Sequence, residues 1–261
     1  MLSHWLTQLS DRNPQFLREI KGRVKRRNML VTLALSLVTQ LLIVGYNWRR
    51  LGSAYAETSE SNMMWRSWWF DIFNTTTWIA LLLLLFLGSY LLVGDIAKEE
   101  RRGTLAFVRL SPESAQSVLL GKLLGVPILL YAAIALAIPL HFWAAINAGL
   151  SLWTIANVYA LVATSCSFVY AFATFHALGW GAKAQISYIL PIPCFIYFLL
   201  WLFSFYGRYF NLHENVPQDS VFIASFEPCF FFNFLLVTFA LLSFGLWSGC
   251  IHRFHLPPLR R

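Results

Sequence analysis

Charge is scarce in this chain. Only 12% of its 261 residues are Asp, Glu, Lys or Arg, against 58% hydrophobic and 17% aromatic, about half the charge of a soluble domain. That scarcity excludes intrinsic disorder and a soluble globular fold. Cysteine is sparse too: Cys166, Cys194, Cys229 and Cys250 show no paired spacing, which excludes a disulfide framework or a cysteine metal cage and leaves them as small packing residues. A phosphate-binding Gly-x-x-x-x-Gly-Lys-Ser/Thr sequence is missing. Gly121-Lys122 is followed by Leu123, and no glycine stands five positions earlier, so ATP hydrolysis is not expected in this chain. No catalytic carboxylate pair or Ser/Cys-His nucleophile is visible either, and the chain reads as no enzyme, with no metal site.

What the sequence does contain is long apolar runs. Six are nearly free of charge over about 20 residues: 29–46, 76–94, 123–146, 152–178, 186–206 and 229–250, each long enough to cross a bilayer as a helix. The expected fold is all-α and polytopic, with a 29–250 transmembrane domain, a 1–28 segment before it and a 251–261 tail. With six spans both termini share one side, and 16 of the 20 Lys and Arg residues fall there. The positive-inside rule makes that side cytoplasmic. The net charge of +8 then reads as a topology signal and an attraction to anionic membrane lipid, not to nucleic acid. Trp65, Trp68, Trp69 and Trp78 at the outer start of the second span fit an interfacial belt.

Ionisable groups within the runs are limited to histidine, which disfavours an ion-driven transporter or proton pump. His141 and His176 fall in opposite leaflets and cannot share a haem iron; each reads as a polar residue satisfied in a helix interface.

Two elements outside the spans carry pattern. From Asn13 to Arg27, Asn13 can cap a helix with Pro14 in its first turn, and Phe16, Leu17, Ile20 and Val24 form an apolar stripe. This predicts a helix lying on the inner leaflet with its basic residues toward lipid phosphates; a plain basic stop signal is the alternative. The second element is the 95–122 loop. There Gly103 and Thr104 can break and cap the chain before Leu105, Ala106, Phe107, Val108 and Leu110, with Arg109 the one polar interruption. Ser111 caps again, Pro112 takes a first helical position and Glu113 suits the helix dipole. The spacing predicts one helix from Pro112 to about Ile146, roughly 50 Å long and kinked at Pro127. Gly121-x-x-x-Gly125 would permit close helix approach. Alternatively, the loop tucks its apolar residues against the bilayer.

Asn13-Pro14 with Leu17-Arg18-Glu19 and the basic 21–27 run, then Glu100-Arg101-Arg102-Gly103-Thr104-Leu105, Ser111-Pro112 and Gly121-Lys122-Leu123-Leu124-Gly125 resemble the permease subunits of type-2 ATP-binding-cassette (ABC) transporters. These motifs cover about a quarter of the chain. The resemblance implies a dimer, homo- or heteromeric, of six-span exporter subunits served by cytoplasmic ABC ATPase subunits that hold the ATP and Mg. It makes 13–27 the interfacial helix (Asn13, Pro14, Phe16, Leu17, Arg18, Glu19, Ile20, Val24). The segment around Arg102, Gly103, Thr104, Leu105, Phe107, Val108, Leu110, Ser111 and Pro112 becomes the coupling helix that docks on the ATPase. It also places re-entrant helices at Gly207 to Pro228. The expected location is a plasma membrane, as in the bacterial inner membrane, with membrane lipids as further partners. A second function class, a non-transporting membrane scaffold holding a soluble partner through the same loop, uses the same residues.

Overall fold

A backbone in hydrocarbon must satisfy its own hydrogen bonds, which leaves helices or closed barrels. In the computed structural model every regular element among the described residues, 13–54, 61–110, 112–184 and 221–256, is helical. The elements are α1 (Pro14–Arg23), α2 (Arg26–Ala54), α3 (61–101), α4 (Thr104–Arg109), α5 (Ala115–Gly125), α6 (Ile128–Asn147), α7 (Leu152–Trp180) and α8 (Val221–Phe254). Among the described residues, five stretches are long and apolar enough to cross a membrane: Arg26–Arg49, Met64–Arg101, Ile128–Asn147, Leu152–Trp180 and Asn233–Phe254. The expected span at 186–206 lies outside the described residues, as does 207–220. From Val221 the backbone is one helix through Phe254, so the end of the expected re-entrant segment is continuous with the last span.

Several expected boundaries are corrected. The 123–146 run does not continue one helix from Pro112: α5 starts at Ala115, with Ser114 as cap accepting from the Ser117 N–H, and ends at Gly125. Ser111 lies outside the described residues. The lever is therefore broken, and Pro127 is the cause, because it has no N–H for the carbonyl of Leu123 and precedes a new helix. Tyr131 repairs the gap; its hydroxyl donates to the Leu123 carbonyl at 3.1 Å. The interfacial helix ends at Arg23, not Arg27, since Asn28 Nδ2 reaches the Arg23 carbonyl at 2.9 Å and α2 begins at Arg26. The second span is the middle of a longer rod, because helical hydrogen bonding needs no apolar side chains and extends through the polar 61–75 stretch. Within that rod Leu83–Gly88 forms a π-helical turn. Ser89 Oγ bonds back to the carbonyls of Leu85 and Phe86 there.

The chain forms two compact units, Met1–Leu92 with Ser111–Val158, and Val93–Leu110 with Tyr159–Arg261. In the first, α6 packs between α2 and α3. Ser36 Oγ donates to the Ala133 carbonyl at 2.8 Å. His141 is buried, with Nε2 2.8 Å from Thr77 Oγ1 and its ring stacked on Phe73. A polar pair satisfied inside a helix interface is the expected state of such a residue. Trp48, Trp65, Trp68 and Trp69 touch one another edge to face or tilted. Trp68 is buried in that cluster, so Trp48 and Trp65 carry its exposed surface.

In the second unit α7 and α8 pack through small and aromatic side chains. Ser167 and Ser243 hydroxyls lie 2.8 Å apart, Phe168 stacks on Phe239, and Cys250 Sγ is 3.3 Å from the Ala171 carbonyl. Cys166 and Cys250 are free thiols in this packing.

Candidate functional site

In the first unit, α1 is clasped onto α5. Asn13 caps α1 and ties it to α5: its Oδ1 accepts from the Phe16 N–H at 2.8 Å, and its Nδ2 donates to the Ser117 carbonyl at 2.8 Å. The approach is so close because two α5 positions lack side chains. A Cβ on Gly121 would stand 2.8 Å from both Asn13 Oδ1 and the Phe16 nitrogen, and one on Gly125 would stand 2.5 Å from Glu19 Cβ. The Gly-x-x-x-Gly spacing therefore receives α1.

The face that α1 buries is not simply its apolar stripe. Gln15, Leu17 and Glu19 are buried, while Phe16 and Ile20 are half-buried and Val24 is exposed. Lys122 explains the polar members. It is only 1% exposed, with its Nζ 3.8 Å from Glu19 Oε1. A cation so enclosed requires a carboxylate. Glu19 is held in place by Gln15 Nε2 at 3.3 Å and Arg23 Nε at 3.2 Å. The Lys122–Glu19 pair puts charge on the buried face of α1, where an amphipathic stripe would place apolar side chains.

In the second unit, α4 follows α3 across a sharp turn. Gly103 has φ 71°, the left-handed region open to glycine at no steric cost, and occupies the N-cap. Thr104 does not cap an N–H as expected. It is the first helical residue, and its hydroxyl donates to the Glu99 carbonyl at 3.2 Å, supporting the last turn of α3. Leu105 is buried, 2% exposed. Arg109 lies against the last turn of α8, with its guanidinium carbon 5.9 Å from the centre of the buried Phe254 ring, within cation–π range. That contact was not expected from the sequence, because the two residues are far apart and share no pattern. It fixes one side of α4. On the other side Phe107 is 76% and Leu110 84% exposed, while Val108 is half-buried. Arg102 and Pro112 are exposed. Spaced i and i+3, Phe107 and Leu110 present one apolar patch.

The class that this architecture defines is a multi-pass α-helical integral membrane protein. No protein-family model, curated protein or solved structure matches the chain. The family reading accordingly rests on the chain's own residues.

Proposed function

We propose that this chain is the membrane-spanning permease subunit of a type-2 ABC transporter, an exporter, working as a dimer with cytoplasmic ATPase subunits that supply ATP hydrolysis. The observation that supports it best is α4: a six-residue helix that follows a membrane-length helix and precedes the short α5, held by Leu105 and Arg109, that turns Phe107 and Leu110 outward. Large apolar side chains left open on an anchored helix mark an interaction surface.

In this reading the ATPase grips Phe107 and Leu110. Closure of the motor then moves the chain through 111–114 into α5. Since α5 is clasped to α1 and separated from α6 at Val126–Pro127, the α1–α5 pair would move as a body and bend the chain at Pro127. The single lever kinked at Pro127 that the sequence predicts becomes two helices hinged there.

The test is Phe107→Glu with Leu110→Glu in the full-length chain expressed in its native host. The variant should reach the membrane in normal amount but no longer copurify a nucleotide hydrolase, and transport should be lost. Undiminished copurification, or wild-type complexes that contain no nucleotide hydrolase, would refute the proposal.

A further inference from the structure

A cavity of about 610 Å³ opens where α1 ends, α2 begins and α6 passes. Lys25, Arg27, Asn28 and Thr32 supply its polar lining, and Val31 and Leu129 its apolar wall. The two cations differ from their neighbour Arg23, which is engaged by Glu19 at 3.2 Å. Among the described residues neither Lys25 nor Arg27 has an acidic partner. Asn28 lines the cavity with its amide nitrogen committed to the Arg23 carbonyl. The lining thus presents two uncompensated positive charges and a Thr hydroxyl, the donor set for a phosphate.

The location narrows the ligand. The cavity lies at the polar end of the membrane-length stretch Arg26–Arg49. From Val31 a line of exposed apolar side chains, Leu35, Val38 and Leu42, runs away along one face of α2, at the i, i+4, i+7, i+11 spacing of a helix stripe. A soluble phosphate would use the cations and leave that stripe bare. A glycerophospholipid would use both, with its phosphate on Lys25 and Arg27, its glycerol on Val31 and Leu129, and an acyl chain along the stripe. The first turn of α2 adds the favourable end of a helix dipole for the anion. We infer that this cavity is a binding site for the phosphate headgroup of an anionic glycerophospholipid.

The experiment is native mass spectrometry of the full-length protein, delipidated in detergent and then exposed to equal amounts of phosphatidylglycerol and phosphatidylcholine. The wild-type chain should retain phosphatidylglycerol selectively. Lys25→Ala with Arg27→Ala should lower that retention about thirtyfold, the equivalent of about 1 kcal/mol for each cation near a membrane surface. Gly22→Leu keeps every charge and should also lower it, because a Cβ at this lining position meets nothing within 4 Å and the longer side chain can fill the space. The charge-matched variant Arg18→Ala with Lys21→Ala, outside the cavity, should behave as wild type. Equal retention of the two lipids would overturn the inference. So would an equal loss in the charge-matched variant, which would mean diffuse attraction only. Displacement of the lipid by millimolar inorganic phosphate would reassign the cavity to a soluble anion.

Discussion

Where α1 meets α5, a lysine and a glutamate are buried and the closest contacts are made by glycines. On α4, one leucine is buried while a phenylalanine and a second leucine stand open. The first region hides polar groups because each is paired inside the chain: Asn13 with two backbone groups, Glu19 with Gln15, Arg23 and Lys122. The second leaves apolar groups exposed among the described residues. Burial of a paired charge holds two elements in one register, whereas exposure of a large apolar pair leaves a surface unsatisfied until something covers it. One region reads as an internal joint and the other as an external contact.

The largest expected effect breaks the joint. Gly121→Leu would drive a branched side chain into Asn13 and the backbone at Phe16, and rigid backbone cannot yield as a flexible side chain would. Destabilisation of about 3 kcal/mol is expected, read as a lower thermal midpoint in detergent. The buried Leu17, replaced by Cys in the same background, should become readily labelled by a maleimide. A Gly121→Leu chain with wild-type stability and a protected position 17 would mean that α1 and α5 are not interlocked.

Next in size is the anchor of α4. Arg109→Ala removes the guanidinium from Phe254 and should cost about 1.5 kcal/mol, as a partly desolvated cation–π contact does. The effect should be local: faster amide hydrogen exchange across 104–110 with little change in α1. Smaller still is Tyr131→Phe, which leaves the Leu123 carbonyl without the hydroxyl that replaces the missing Pro127 N–H. One hydrogen bond is worth about 1 kcal/mol. If Pro127 is the hinge, exchange should rise at 126–131 and nowhere else.

Helices and their caps were largely legible in the sequence because the signals are local. Apolar runs marked the membrane-length helices, Asn13-Pro14 marked the start of α1, and Gly103 marked the turn before α4. The joints were less legible. The burial of Glu19 and Lys122 depends on a match across more than 100 positions, and no periodicity within α1 encodes it. The expected cap at Ser111 gives way to Ser114. Adjacent Ser and Pro signals compete within a few residues, and tertiary contacts decide between them. For the candidate site, the identity of the α4 segment was readable. Which of its side chains turn inward was not, because six residues are too few to define a face.

The smallest expected effect on stability is the most informative about that face. Phe107 and Leu110 already meet solvent over most of their surface, so truncating both to Ala removes little buried contact. The isolated chain should change by no more than about 0.5 kcal/mol. Leu105→Ala, one turn away and buried, should cost about 2 kcal/mol or more through the cavity it leaves. The split matters because the two variants separate folding from association. If α4 is an external contact, the Phe107/Leu110 variant keeps its thermal midpoint and loses its partner, whereas the Leu105 variant loses both. If the exposed pair instead packs against lipid, Phe107→Ala with Leu110→Ala should leave partner recovery unchanged and weaken only the retention of the chain's native lipids. Fluorescence quenching of a probe at position 107 by brominated lipid would reveal that contact directly. Efficient quenching would move α4 from the contact side of the comparison to the membrane side.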